Sequence, residues 1–134
     1  MKTILVEISF GELLDKISIL EIKKEKISDL KKLEFVNHEL DLLKVQFEKF
    51  TKIKNFENGD KINKLYLSLK EINSKLWIIE DDKRMCEKKS DFGEQFIELS
   101  RNVHFLNDKR SKIKLEINNL SGSGIKEIKQ YTSY

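Results

Sequence analysis

An indole, three consecutive carboxylates and a guanidinium lie close together between Trp77 and Arg84, inside a stretch that otherwise has the pattern of an amphipathic helix. Spacings of three and four residues place Trp77, Glu80 and Arg84 on one strip of such a helix. Asn73 lies on the same strip, one turn earlier. The strip is interpreted either as a site that holds an anionic group against the indole or as an ion-pair network beside a half-buried indole. Alternating charges on long helices usually serve solubility and register.

A turn at Asp91 extends this cluster to the next helix. Folding the chain there into an antiparallel hairpin places Glu80 opposite Arg101 and Asn73 opposite Asp108. The predicted polar pocket therefore lies between the third and fourth helices. Its candidate residues are Asn73, Trp77, Glu80, Asp81, Arg84, Arg101, Asn107, Asp108 and Arg110.

Carboxylates one helical turn apart on two helices can hold magnesium, and the chain contains two pairs with a three-residue offset. These pairs are Glu12 with Asp15, and Asp91 with Glu94. Each lies in a predicted first turn, where acidic residues favour the helix dipole and cap unpaired N–H groups. Capping therefore explains both pairs better than metal binding does. The carboxylates at residues 80–82 are consecutive and point around the helix, so we predict no metal site.

The sequence contains no pattern that indicates a nucleophilic catalytic site or a phosphate-binding loop. The single cysteine, Cys86, occupies an apolar seam position and is predicted to be a buried thiol. No sequence cue joins it to His38 or His104. Gly122 and Gly124 lie at a helix stop and lack the lysine of a phosphate-binding loop. We therefore predict no catalytic residue and no cofactor.

The composition is that of a helical protein. The chain has 134 residues, of which 37% are charged, and it has no proline, which permits long helices joined by short turns. Its net charge of +3 comes from 26 basic and 23 acidic side chains that are closely interleaved, so we predict no nucleic-acid partner. The basic stretch at residues 109–114 is interpreted as a solvated helix face. The apolar runs are too short for a membrane span, and we place the chain in the cytoplasm.

Apolar residues recur three and four positions apart along four segments, which predicts an all-α antiparallel bundle of four helices in a single domain, residues 1–134. We predict helices at about residues 10–27, 29–52, 60–88 and 92–120, with the last two forming a long coiled-coil-like hairpin. Short extended segments flank them, including a tail at residues 121–134. The first helix is apolar beyond one seam and should contact two neighbours. Helix content should exceed about 65%.

Three cationic residues interrupt the apolar seams: Lys24, Lys83 and Arg110. The lysines can lay their methylenes along a seam and extend the ammonium group to water. Arg110 is deeper in the fourth helix, where an unpaired buried guanidinium would be too costly. Hairpin pairing places it near Glu71. We therefore predict that a buried Arg110 has a carboxylate partner, contributed by the first or the third helix.

Several motifs resemble those of a family of small bacterial helical proteins of unknown function. They are SFGELLDKI at residues 9–17, LWIIED at residues 76–81, FGEQF at residues 92–96 and NDKR at residues 107–110. The resemblance extends over nearly the whole chain. It implies a helical fold and a loose association with surface-polysaccharide gene contexts, and it brings no established activity.

The sequence therefore favours a non-catalytic scaffold or adaptor that presents helical surface to a protein partner or to its own copy. The two longer helices would leave part of their seam without an internal partner, which predicts an isologous homodimer. The alternative is a domain that handles an anionic small molecule, such as a nucleotide or nucleotide sugar, in the polar pocket between the third and fourth helices.

Overall fold

The computed structural model describes residues 2–53, 56–125 and 127–134. It contains four helices: α1 (Phe10–Lys26), α2 (Leu30–Thr51), α3 (Gly59–Lys88) and α4 (Glu94–Ser121). Helices account for 75% of the described residues, which include no strand. The predicted all-α fold is therefore confirmed, and each predicted helix end lies within two residues of the observed one.

Short polar side chains begin the first two helices. The Ser9 hydroxyl accepts a hydrogen bond of 3.1 Å from the backbone N–H of Glu12, and the Asp29 carboxylate accepts one of 3.0 Å from that of Lys32. Each bond satisfies a donor that the first helical turn leaves without a partner. α4 ends at Gly122, whose φ of 69° lies in the left-handed region that glycine adopts without strain.

α1 is the central helix, because it packs against each of the other three. The sequence predicted two neighbours, and the third follows from the width of its apolar surface. Leu13, Leu14, Ile17, Leu20 and Ile22 are all buried and lie around more than half of the helix. Leu69 of α3 and Ile117 of α4 are fully buried in the same core.

α2 occupies a lateral position. Among the described residues its backbone comes close to α1 and to no other helix. In its buried apolar stripe Leu40 is buried, and Val36, Leu43 and Phe47 are partly buried against the core. Phe35, Leu42 and Val45 lie outside this stripe and are exposed. A stripe of this width covers one neighbour and leaves the opposite face in water.

An aromatic cluster joins the start of α1 to the end of α2. The ring of Phe10 stacks on Phe50 at a centroid distance of 4.4 Å and on Phe47 at 5.9 Å. Phe56, in the segment before α3, meets Phe10 edge-on at 6.0 Å. Such aromatic pairs add stability beyond the burial of their area. The cluster holds the end of α2 close to the segment that precedes α3.

α1 and α4 approach each other most closely at Gly11. Its N–H donates a hydrogen bond of 2.7 Å to the side-chain oxygen of Asn118. A Cβ atom at this position would lie 2.6 Å from the carbonyl oxygen of Lys114, so only glycine allows this approach. Asp15 then lies beside Arg110, which makes the two helices antiparallel.

The described residues of the C-terminal tail, 122–125 and 127–134, form no helix or strand, and several of them contact α4. Glu127 forms an ion pair of 2.9 Å with Lys114. Tyr134 donates a hydrogen bond to Asp108 and packs edge-on against His104 at a centroid distance of 5.1 Å. The tail therefore runs back along α4. Residues 2–8, before α1, are exposed and form neither helix nor strand.

Candidate functional site

A buried polar cluster connects α1, α3 and α4. The Asp15 side chain is only 1% exposed. Arg110 donates to both of its oxygens, from Nε at 2.9 Å and from Nη2 at 2.5 Å. The Asn73 amide nitrogen donates to Asp15 at 2.8 Å and to the Ser18 hydroxyl at 2.7 Å. The predicted carboxylate partner of Arg110 is confirmed, and it comes from α1. Glu71 instead forms an exposed pair with Lys75 at 3.3 Å.

Lys114 extends this cluster by one turn of α4. Its side chain is only 8% exposed, and Nζ lies 2.7 Å from Glu12, 2.9 Å from Glu127 and 3.8 Å from Asp15. Burial lowers the pKa of Lys114, but hydrogen bonds to Glu12 and Glu127 outweigh burial, and the pKa is raised overall. The hydrogen bonds to Asp15 likewise raise the pKa of Arg110. Both cations stay charged because carboxylates surround them.

Two interpretations from the sequence are wrong here. Glu12 and Asp15 are not helix-capping carboxylates, because their side chains bind the cations of α4. The basic stretch at residues 109–114 is not a solvated face throughout, since Arg110 and Lys114 point into the molecule. The burial of both cations could have been predicted, because the spacing of four residues between Arg110 and Lys114 places them on the same, seam side of α4.

A polar groove of about 320 Å³ lies beside this cluster, between α1 and α3. α1 contributes Ile19 and Ile22 to one wall, and Leu76 of α3 lies opposite them. Six of the nine predicted pocket residues line the groove: Asn73, Trp77, Glu80, Asp81, Arg84 and Arg110. We refer to this site as the polar groove.

The position of the polar groove differs from the prediction in one respect. α1, rather than α4, covers the Trp77 strip, and of the α4 residues only Arg110 reaches the groove. The prediction used only the hairpin of α3 and α4, and the geometry of that hairpin does not show where α1 packs. Arg101, Asn107 and Asp108 do not line the groove.

The remaining predicted residues have other surroundings. Arg101 is exposed, lies 3.7 Å from Glu98 and is 6.0 Å from the ring centre of Phe105. Asp108 accepts the hydrogen bond from the tail residue Tyr134. Asn107 is partly buried on α4. The structure therefore separates these three α4 residues from the Trp77 strip.

The ion-pair network considered for the Trp77 strip does not form. Within residues 2–53, 56–125 and 127–134, no cation lies within 4.0 Å of the carboxylate of Glu80 or Asp81, and no carboxylate lies that close to Arg84. Trp77 is half-buried between them. Unlike Asp15 and Lys114, these charged side chains have no internal partner in the described chain.

A second, apolar groove of about 400 Å³ lies between α2 and α3, with α1 as its floor. We call it the apolar groove. Its lining is formed mainly by apolar and aromatic side chains: Leu14, Ile17, Phe47, Phe56, Ile62 and Tyr66. Its polar rim consists of Glu21, Lys44, Glu48, Thr51, Gly59 and Asn63. This groove could not be predicted from the sequence, because it depends on the lateral position of α2.

One wall of the apolar groove is held by a polar contact. The Tyr66 hydroxyl donates to Glu21 at 2.5 Å, and Lys70 lies 3.2 Å from the same carboxylate. Burial raises the pKa of Glu21, but hydrogen bonds from Tyr66 and Lys70 outweigh burial, and the pKa is lowered overall. Burial and the bond to Glu21 raise the pKa of Tyr66. Glu21 is therefore ionised and Tyr66 protonated near neutral pH.

A family model described as a family of unknown function, DUF6165, matches residues 4–134. The chain belongs to this family. No curated protein and no solved structure matches the chain. The family assignment agrees with the resemblance found in the motifs and adds no activity to either groove.

Other sites considered from the sequence remain separate in the structure. Cys86 is buried, as predicted. His104 contacts Phe105 and the tail, and His38 is exposed on α2. In the part of the chain that the structure describes, no three His, Cys, Asp or Glu side chains converge as metal ligands. None of the helices described has the length and apolar character needed to cross a membrane.

Proposed function

We propose that this protein is a non-catalytic adaptor that binds an amphipathic helix of a protein partner in the apolar groove. The observation that carries the proposal is the lateral packing of α2. In the described part of the chain α2 packs on α1 and not on α3, so a groove stays open between α2 and α3. The partly buried side chains of Phe47, Phe56 and Tyr66 line this groove above the buried core residues Leu14, Ile17 and Ile62. In a closed bundle another helix would fill this gap.

The dimensions of the apolar groove suit about two turns of a helix. Along α1 it extends from Leu14 to Glu21, a rise of about 10 Å at 1.5 Å per residue. A partner helix with apolar residues at positions i, i+3, i+4 and i+7 presents a stripe of this length. The floor is apolar, and charged side chains such as Lys44 and Glu48 stand at its edge. This arrangement matches an apolar stripe flanked by polar residues.

The partner helix can come from another protein or from a second copy of this chain, and the adaptor proposal includes both. We place the adaptor in the cytoplasm, because its one cysteine, Cys86, is a buried thiol with no disulfide partner. A reducing compartment suits such a residue.

Photo-crosslinking in the native host tests the proposal directly. A photoreactive amino acid would replace Asn63, which is exposed at the groove edge, and in a matched control would replace Asn119, which is exposed on α4. We expect adducts with one defined protein from position 63 and not from position 119. Adducts of the chain with itself would assign the groove to a homodimer. Equal labelling from both positions, or none from position 63, would refute the adaptor proposal.

A synthetic peptide of the crosslinked helix then tests the groove with purified protein. Asn63→Trp should fill the groove edge and weaken peptide binding by about tenfold or more, corresponding to roughly 1.4 kcal/mol. Asn119→Trp adds the same side chain outside the groove and should leave the affinity unchanged. Circular dichroism of both variants checks that the fold is retained.

A further inference from the structure

We propose that the polar groove binds a nucleoside monophosphate, with the base against Trp77, the ribose hydroxyls at Glu80 and Asp81, and the phosphate at Arg84. The polar and apolar grooves lie on different sides of α1. This proposal therefore does not depend on the adaptor function, and either one can fail without the other.

The order of side chains along α3 matches the order of the parts of a nucleoside monophosphate. Trp77, the pair Glu80 and Asp81, and then Arg84 line the same groove at intervals of one helical turn, which is a rise of about 5 Å per step. A nucleoside monophosphate presents a planar ring, a polyol and an anion in the same order. An indole stacks on bases, ionised carboxylates accept hydrogen bonds from hydroxyls, and a guanidinium binds phosphate through two N–H groups.

The charged side chains of the polar groove form no ion pairs with the described residues of the protein. Glu80, Asp81 and Arg84 have no ion-pair partner within 4.0 Å among the described residues. All three side chains are exposed to water, whereas the neighbouring carboxylate of Asp15 is buried and pairs with Arg110 at 2.5 Å. The carboxylates and the guanidinium of the polar groove are therefore available to a ligand.

Arg110 contributes a fixed donor at the other end of the groove. Its Nε and one Nη2 hydrogen are directed to Asp15, and a guanidinium carries five N–H donors. The remaining donors can reach an acceptor on the base edge, because Arg110 lines the groove and is 28% exposed. The bidentate bond to the buried Asp15 holds the guanidinium in place, so little side-chain entropy is lost on binding.

The apolar wall completes the site. Ile19 and Ile22 of α1 line the groove together with Trp77 of α3. A base lying between them would bury its apolar faces against the protein and remove them from water. The groove volume of about 320 Å³ is at the lower end of the range for small-molecule sites, roughly 300–1,000 Å³. It suits a single nucleotide rather than a larger cofactor.

Trp77 provides the assay, because it is the only tryptophan of the chain. A change in its fluorescence therefore reports on the surroundings of this one side chain in the groove. Titration with UMP, CMP, AMP and GMP should quench the emission in a saturable manner for at least one of them, with a Kd below about 1 mM. The matching nucleoside and inorganic phosphate should each bind at least about tenfold more weakly, because each supplies only part of the contacts.

Three variants decide whether binding occurs where we propose. Arg84→Gln should weaken the binding of the best nucleotide by about tenfold or more, while Arg101→Gln, a matched change at an exposed arginine outside the groove, should leave it unchanged. Trp77→Leu, followed by calorimetry, should abolish detectable binding. Arg84 is exposed, so its variant should retain the fold even if the Trp77 variant does not.

The proposal is overturned if none of the four nucleotides gives saturable fluorescence or heat below about 1 mM. It is also overturned if Arg84→Gln and Arg101→Gln weaken binding equally, because the phosphate would then bind through general charge. Equal affinity for phosphate alone would show an anion site without base recognition and would equally exclude the assignment.

Discussion

Replacing Arg110 with alanine should destabilise the protein by about 3 kcal/mol or more. The substitution leaves the carboxylate of Asp15, which is 1% exposed, without its bidentate partner. Removal of one member of a buried ion pair typically costs about 3–5 kcal/mol, because the remaining charge stays away from water. Two contacts moderate the loss: Asn73 still donates to Asp15 at 2.8 Å, and Lys114 lies 3.8 Å away. The expected value is therefore at the lower end of this range.

Urea unfolding measures this effect. A loss of about 3 kcal/mol with a slope of roughly 1–3 kcal/mol per molar urea lowers the midpoint by about 1–3 M. Arg101→Ala is the matched control, because Arg101 is exposed and its pair with Glu98 spans 3.7 Å. It should change the stability by about 0.5 kcal/mol or less.

A double-mutant cycle with Asp15→Asn separates the ion pair from the loss of packing. Neutralising Asp15 should make the further removal of Arg110 less costly, by a coupling energy of about 1 kcal/mol or more. Equal midpoints for Arg110→Ala and Arg101→Ala would refute the reasoning. In that case the bond between Arg110 and Asp15 would not be buried in solution.

Two further substitutions test other contacts. Gly11→Ala should destabilise the fold by about 1–3 kcal/mol, because its Cβ would lie 2.6 Å from the carbonyl oxygen of Lys114. Gly124→Ala, which meets no atom within 4 Å, should have little effect in the same unfolding measurement. The fold lowers the pKa of Glu21 below its ordinary value of 4.5. The ionised Glu21 therefore stabilises the folded protein above pH 4.5, and this stabilisation is lost as the pH falls through the lower pKa of the folded state. Wild-type stability should therefore fall more steeply with acid than that of Glu21→Gln, and parallel pH curves would contradict this assignment.

The helices and their faces could be predicted from the sequence because both depend on local chemistry. Apolar spacing and capping side chains act within a few residues, and they located α1 to α4 and the seam position of Cys86. The partner of Arg110 was predicted to come from the first or third helix, since the cost of an unpaired buried guanidinium holds in any bundle. The strip from Asn73 to Arg84 followed from helical geometry alone, and the polar groove contains it.

The neighbours of each face were decided by the tertiary structure. Periodicity shows which side of a helix avoids water, but it does not show which helix covers that side. α1 therefore came to lie over Trp77, where the hairpin alone had suggested α4. For the same reason the role of Asp15 could not be predicted. Its position in the first turn of a helix indicated capping, but in the fold its carboxylate is the buried partner of two cations. The apolar groove exists because α2 packs on α1 alone. This packing depends on how the apolar surfaces of all four helices fit together.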